Sequence, residues 1–413
     1  MKERTKVWQD GLAKSITFIV TKDCQLACKY CYLVGKNSEE RMTWEIAKQA
    51  IDYILDDEEN FNEESVIWDF IGGEPFLEID LIDRICDYLK LEMYKRNHHW
   101  FNSYRFSFST NGINYHTDKV QNFIQKNHEH LSIGITIDGT RQKHDMNRIW
   151  KNESMRSGTA TLLQNERGSY NDVVKNIPLW LKQFPNAATK VTISSADIPY
   201  IKESVLHLYS LGIHQININC VFEEVWNEYD EILFENQLML LADAIIDGGY
   251  YKDYMCSFFQ EHIGKPMDIK KDNQNWCGAG KMLSIDATGN FYPCTRFAQY
   301  SLRDKKAWVI GNIYEGIDKN KLRPFLTLDR CTQSSQECMD CEVASGCAWC
   351  QGENYDAADT ATMFQRAIAI CKMHKARVRA NNYYWNKLFR KLELEGEREV
   401  YEKNKRESNE TSC

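Results

Sequence analysis

Thr21-Lys22-Asp23-Cys24-Gln25-Leu26-Ala27-Cys28-Lys29-Tyr30-Cys31-Tyr32 places three cysteines on one short loop, spaced C-x3-C-x2-C. The loop follows an apolar run, Ile16, Phe18, Ile19 and Val20, which predicts a buried strand. Three thiolates on one loop can hold three irons of a cubic 4Fe–4S cluster. The fourth iron then has no protein ligand and can bind and activate a substrate. The bland alternative is three buried or zinc-binding cysteines. Zinc sites usually supply four ligands in paired C-x2-C form, so this spacing fits zinc poorly.

The loop belongs to a chain of 413 residues, 43% hydrophobic, with a net charge of -8. That length predicts two domains, or one large barrel with an appendage. The composition is not that of a disordered chain. No apolar run reaches the roughly 18 residues of a membrane span, and the polar stretch Met1 to Ala13 lacks the core of a secretory signal. A cytoplasmic protein is expected. The negative charge argues against a nucleic-acid groove as the main surface. Disulfides are disfavoured in a reducing cytoplasm, so the clustered members of the 15 cysteines should bind metal. Cys86, Cys220 and Cys256 are isolated and read as small buried side chains, and Cys413 ends a polar tail with no expected role.

Beyond the loop, helical and extended patterns alternate. Thr43 is placed to cap a helix through Leu55. Strands are predicted at 66–71, 104–109, 131–137, 190–194 and 215–221, with helices at 77–95, 118–126, 171–184 and 201–211 between them. This is the pattern of an α/β protein with a parallel sheet built from βα units. With the first strand there are six, short of the eight in a closed barrel. Ligands of such sheets bind at the carboxyl ends of the strands. The polar segments lie there: the cysteine loop, Gly72-Gly73-Glu74-Pro75, Thr110-Asn111-Gly112 and Asp138-Gly139. Adjacent glycines let backbone approach a ligand, and exposed carbonyls can accept hydrogen bonds from an ammonium group.

The cysteine loop, with the aromatic Tyr30 before its last cysteine, resembles the cluster loop of the radical S-adenosylmethionine (SAM) enzymes. The resemblance implies a partial (β/α)6 TIM-like barrel with SAM at its mouth. Gly72, Gly73, Glu74 and Pro75 would receive the amino group of SAM. Thr136 and Arg148, in Thr136-Ile-Asp-Gly139 and His144-Asp-Met-Asn-Arg148, would hold its carboxylate, which the planar fork of arginine matches. Ser109 and Asn111 would add contacts at the third strand end, Asn111 toward the ribose hydroxyls. Val221 would meet the adenine edge through its backbone. The plainer alternatives are a β-branched strand filler at Thr136, a surface ion pair at Arg148 and a turn residue at Asn111.

A second cysteine field begins at Cys277. A predicted hairpin, Met282 to Ile285 and Phe291-Tyr292 around Gly289, carries Cys277 before it and Cys294 after it. Cys338-x2-Cys341-x5-Cys347-x2-Cys350 and Cys371 follow. A C-x2-C pair alone would favour zinc, but the full order resembles the SPASM domain, the auxiliary-cluster extension of radical SAM enzymes that modify peptides. That implies a distal 4Fe–4S cluster on Cys338, Cys341, Cys347 and Cys371, and a proximal one on Cys277, Cys294 and Cys350. Three clusters are then expected in all. Two features depart from the family: Cys347 and Cys350 are separated by two residues rather than three, and no cysteine lies in 278–285. The proximal site would have an open iron, or Cys331 would complete it. The expected division is a barrel core at 1–221, a connecting helical segment at 222–276, the cysteine-rich domain at 277–375, and a C-terminal helix (Met373 to Val400) with a frayed tail (Lys403 to Cys413) over 376–413.

The function implied is a radical SAM/SPASM oxidoreductase maturing a ribosomally made precursor peptide. A 5′-deoxyadenosyl radical would remove a hydrogen atom, and a crosslink would follow, a Cys thioether first among the options. Alternatives are carbon–carbon crosslinking, epimerisation, or the formylglycine formation of anaerobic sulfatase-maturating enzymes. A non-catalytic iron–sulfur electron carrier is the rival from another class. Flavodoxin or ferredoxin is the expected electron donor. Few residues precede the first strand, so a leader-binding domain is expected as a separate protein or not at all. No catalytic acid or base stands out.

Overall fold

Period-two alternation in the strands decides which residues line the interior of the barrel. The computed structural model of the chain describes residues 13–36, 39–151, 167–275 and 277–411. Strands β1 (Ala13–Thr21), β2 (Ser65–Gly72), β3 (Tyr104–Thr110) and β4 (Leu131–Ile135) lie parallel and adjacent. One set of side chains, including Phe18, Trp68, Phe70, Phe106 and Ile133, is fully or almost fully buried against the helices. Each of these large side chains contributes about 1.5–3 kcal/mol by leaving water. The alternate set carries a polar row: Thr17, Asp69, Ser107 and Ser132 stand in one register line across the four strands.

The covering helices are α1 (Trp44–Asp56), α2 (Ile79–Lys95) and α3 (Asp118–Asn127). Thr43 caps α1 as expected, its side chain accepting the Ile46 N–H at 3.3 Å. Each helix buries one apolar stripe, such as Ile82, Ile85, Cys86 and Leu89 of α2. After β4 come α4 (Arg141–Asn147), α5 (Ile177–Gln183), β5 (Ala188–Ile193), α6 (Ile201–Ser210) and β6 (Gln215–Cys220). A bridge from Thr136 to Lys190 continues the order from β4 to β5. There Thr189 Oγ1 donates to the Ile135 carbonyl at 2.8 Å and accepts the Ile137 N–H at 3.2 Å. All six expected strands are present in the expected order.

Several boundaries differ from expectation for identifiable reasons. The helix at 77–95 begins as a short 3-10 turn, Pro75–Glu78, because Pro75 can start a helical turn without an N–H. The helix expected at 171–184 is broken into Tyr170–Val174 and α5, since Pro178 cannot donate to a preceding turn. The acidic segment at 223–247 is helical only as α7 (Asp230–Asp247).

Beyond α7, β7 (Met255–Cys256) adds a parallel strand beside β6. The hairpin of β8 (Leu283–Ile285) and β9 (Asn290–Tyr292) turns at Gly289, whose φ of 82° suits glycine. Asp286 Oδ1 closes that turn by accepting the N–H groups of Thr288 and Asn290. The hairpin is not a separate bead: β8 pairs in parallel with β1, Ile16 opposite Leu283 and Phe18 opposite Ile285. Two short strands, β10 (Gly311–Asn312) and β11 (Gly316–Ile317), extend the same sheet.

Helix α8 (Gln351–Ala357) follows the last cysteine pair, and α9 (Cys371–Glu395) packs along α7. Gly396, left-handed at φ 68°, ends α9. The tail expected to be frayed is instead helix α10 (Arg398–Thr411), held by Lys405 over the Trp385 ring and by Tyr401 against Tyr251. Cys413 lies outside the described residues. Among those described, no helix is long and apolar enough to cross a membrane.

Candidate active site and cysteine sites

The cysteine loop leaves the carboxyl end of β1 and is pinned on two sides. On one side Gly73 N–H donates to the Thr21 carbonyl at 3.0 Å and Glu74 N–H to the Asp23 carbonyl at 2.8 Å. A Cβ on Gly73 would lie 2.0 Å from the Asp23 oxygen, and one on Gly72 2.3 Å from that of Thr21. The paired glycines therefore admit the cysteine loop itself, a closer constraint than the ligand approach expected of them. On the other side Ala27 N–H donates to Ile149 and Lys29 N–H to Asn147, at 2.9 and 3.0 Å.

Burial pushes the Cys24 thiol up to about 11, while Lys36 works in the opposite direction. Cys28 is likewise raised by burial and eased by Arg148 and Lys36. Lys36 lies electrostatically beside all three thiols and donates to the Leu26 carbonyl at 3.3 Å. Cys24 Sγ accepts the Leu26 N–H at 3.4 Å. Buried sulfurs that receive backbone N–H groups and face cations suit the thiolate ligands of an iron–sulfur cluster.

The other strand ends form a ring around this loop. Glu74, 1% exposed, takes the Thr110 hydroxyl and the Asn111 N–H at 2.7 Å each and the Phe76 N–H at 3.1 Å. Its side chain thus joins β2 to β3. Asn111 Nδ2 reaches back to Gln25 Oε1 at 3.0 Å. Pro75 is buried behind the turn. Ser109 accepts from Lys190 at 2.8 Å across the barrel, Thr136 donates its N–H to Thr110, and Val221 donates to Ile193.

Tyr30 donates to Asp138 and accepts from Arg148 Nη1 at 2.9 Å. Burial works against the Asp138 carboxylate, but Lys143 and Arg148 hold it below its usual range. Arg148 is not a surface ion pair: it is 6% exposed, and its buried Nε has no hydrogen-bond partner among the described residues. A buried donor left unmatched at a ring of strand ends is suited to an anionic group such as a carboxylate.

The second field forms two groups. Cys338, Cys341, Cys347 and Cys371 line one cavity with Arg330 and Arg366. Cys277, Cys294 and Cys350 influence one another electrostatically, and N–H groups of Gln351 and Ala279 point at the Cys277 sulfur. Cys331, on a short helix, has its N–H on Asn273 Oδ1 at 3.0 Å. Among the described residues no three His, Cys, Asp or Glu side chains close around a single metal ion. The thiolates of a cubane cluster bind separate irons and need no such convergence. Cys86 and Cys256 are buried, as expected of structural cysteines.

Residues that motif reasoning missed connect these sites. Arg296, next but one to Cys294, stacks over the Tyr32 ring at 4.7 Å and bonds Glu223 at 3.0 Å and Glu353 at 2.8 Å. Arg303 holds Glu353 at 2.6 Å and Asp356 at 3.0 Å. Asp69 is the one carboxyl on the inward positions of the six barrel strands. Burial raises its pKa against hydrogen bonds from Ser107 and Thr17. Only the period-two pattern could have flagged it, as an acid where its strand neighbours are apolar.

Comparison with known proteins agrees with this fold. The family model described as "4Fe-4S single cluster domain" matches residues 11–156. An uncharacterized protein of Methanocaldococcus jannaschii is 26% identical over 76% of this chain and 92% of its own. The cysteine-type anaerobic sulfatase-maturating enzyme of Clostridium novyi is 27% identical over 40% of each chain. Among solved structures, anSMEcpe with bound AdoMet and the Kp18Cys peptide has a TM-score of 0.61 at 16% identity, over 92% of this chain and 98% of that one. Streptococcus suis SuiB bound to precursor peptide SuiA has a TM-score of 0.55 at 14% identity, over 90% and 79%. With its cysteine loop at the mouth of the barrel, this chain shares the fold of anSMEcpe and SuiB over 92% and 90% of its length, and its N-terminal part matches a 4Fe-4S single cluster domain.

Proposed function

We propose that the chain is a radical SAM maturase that modifies a peptide substrate. One observation carries this reading: the Arg296–Tyr32 stack puts the strand-end ring and the Cys277/Cys294/Cys350 group side by side, so one substrate can meet both. The peptides named in the titles of the anSMEcpe and SuiB structures support the substrate class. When bound, a cluster on Cys24, Cys28 and Cys31 together with SAM supplies the radical that removes hydrogen from an unactivated C–H. The residues do the rest. Arg148, through its free Nε, and Thr136 would hold the SAM carboxylate. The Gly72–Pro75 turn would receive the amino group, Asn111 the ribose and Val221 the adenine. Tyr30 is held in place by Asp138 and Arg148. The apolar shell of the barrel keeps water from the reacting carbon.

The finer reading is an intramolecular crosslink, a Cys thioether. A group with three protein thiols at Cys277, Cys294 and Cys350 leaves one coordination position for a substrate sulfur. A second auxiliary site on Cys338, Cys341, Cys347 and Cys371 brings the total to three, and flavodoxin or ferredoxin supplies electrons. Formylglycine formation is the second reading, favoured by the likeness to the Clostridium novyi enzyme. The test is to reconstitute and reduce the protein, add SAM, and measure 5′-deoxyadenosine. Its absence would sink the enzyme reading in favour of an electron carrier. Peptides encoded beside the gene are then incubated and weighed. Loss of two hydrogens with a blocked cysteine marks the thioether, whereas an aldehyde marks formylglycine.

A further inference from the structure

The two cysteine groups of the C-terminal half sit in different electrostatic surroundings. At the four-cysteine cavity Arg366 Nη2 donates to Cys347 Sγ at 3.0 Å. No described carboxylate forms an ion pair with Arg366. Arg330, 4% exposed, lines the same cavity and acts on Cys347. Lys375 lines it too, and Glu337 is the one carboxylate among the lining residues. At Cys277 and Cys294 the charged side chain that acts on the thiols is Arg296, and its charge is already engaged. Arg296 there is shared between Glu223 and Glu353, and Arg303 between Glu353 and Asp356. In that network two guanidinium groups are shared among three carboxylates, so less positive charge is left for the sulfurs than at the four-cysteine cavity.

Trp349 separates the two surroundings. It lies in the two-residue gap between Cys347 of one group and Cys350 of the other. The guanidinium groups of Arg366 and Arg330 stand 5.1 and 5.7 Å from its ring centroid. The indole fixes both cations on the four-cysteine side. Reduction adds one electron and no proton to a cluster. Positive charge and N–H···S bonds at the ligand sulfurs stabilise that added charge and raise the potential, whereas surrounding carboxylates lower it.

We propose that Arg366, with Arg330 across Trp349, sets the cluster held by Cys338, Cys341, Cys347 and Cys371 at a higher reduction potential than the one held by Cys277, Cys294 and Cys350. This rests on reading both cysteine groups as cluster sites. Arg366 is a tuning residue that acts through the Cys347 sulfur. An electron arriving at the three-cysteine site therefore runs downhill to the four-cysteine site.

The test is a potentiometric titration followed by electron paramagnetic resonance. It uses the full-length reconstituted chain with Cys24→Ala, Cys28→Ala and Cys31→Ala, so that the two C-terminal signals stand alone. Two midpoints are expected. Arg366→Gln should lower the higher one by at least a tenfold change in the oxidised-to-reduced ratio, about 59 mV for one electron, and leave the lower one in place. Arg366→Lys should keep most of the potential, and Arg330→Gln should move the same midpoint in the same direction. Arg330→Gln decides the matter should Arg366→Gln lose its iron. The proposal is overturned if the lower midpoint moves, if neither moves, or if both move together. An iron content of one cluster in the parent protein overturns the cluster-site reading itself, a result separate from unmoved midpoints.

Discussion

The Glu74 carboxylate and the Asn111 backbone amide meet at 2.7 Å, so the second strand end is tied to the third by a side chain rather than by the sheet ladder. The same carboxylate takes two further donors, from Thr110 and Phe76. In Glu74→Gln the amide NH2 must face one of these donors. A buried unsatisfied group costs about 1–3 kcal/mol. The variant should melt earlier by that amount in a denaturant titration and bind SAM at least tenfold more weakly by equilibrium dialysis.

Gly73→Ala tests whether the loop needs the close approach. Its Cβ would stand 2.0 Å from the Asp23 oxygen, which no side-chain rotation can relieve. The expected outcome is a displaced cysteine loop and the loss of one cluster's iron from the reconstituted protein, with the two C-terminal sites still filled. Full iron content in this variant would contradict the assignment.

Arg148→Lys keeps a positive charge but removes the planar fork and the free Nε. SAM affinity should fall at least tenfold while iron content holds. Unchanged SAM affinity would remove Arg148 from the site.

The carboxylates around Arg296 depend on it. Glu353 is buried between Arg296 and Arg303. Removing one partner of a buried pair leaves an uncompensated charge, typically at about 3–5 kcal/mol. Arg296→Ala leaves Glu353 with Arg303 alone, so the loss should be smaller, about 1.5–3 kcal/mol for the missing charged hydrogen bonds, and adding Glu353→Gln should recover part of it. A double variant no more stable than the single one counts against this.

His98 and His144, two of the three buried histidines, weigh on the acid limb of stability. Burial lowers His98 from 6.5 to about 4 and His144 from 6.5 to about 3. Below pH 6.5 the unfolded chain binds more protons at these sites than the native one, so stability rises with pH over this window and is lost as pH falls through it. At about 1.36 kcal/mol per unit, the pair should cost on the order of 5 kcal/mol between pH 7 and pH 4. Urea midpoints across that range should fall steeply, and His98→Gln should flatten the slope.

The cysteine spacings and the polar strand ends were legible because each lies within a few residues of sequence. The barrel was legible because its strands are long enough to show period two. What stayed hidden depends on register between distant segments. Nothing near Lys36 says that it will face three thiols, and nothing near Arg296 says that it will reach Glu223. Asp69 looks like an interruption in an apolar run until Thr17 and Ser107 stand beside it. The pairing of β8 with β1 was invisible because three residues, Leu283 to Ile285, carry too little pattern to name a partner. The break at Pro178 was readable and should override helical spacing wherever it occurs.

That three-residue pairing has a mechanical result. The strand leading into Cys24 and the strand leading toward Cys294 are hydrogen-bonded neighbours, Phe18 level with Ile285. Swinging one half of the molecule away from the other would tear the sheet. The spacing between the first cysteine loop and the hairpin cysteines is therefore a built-in length, set by the sheet and not by a hinge.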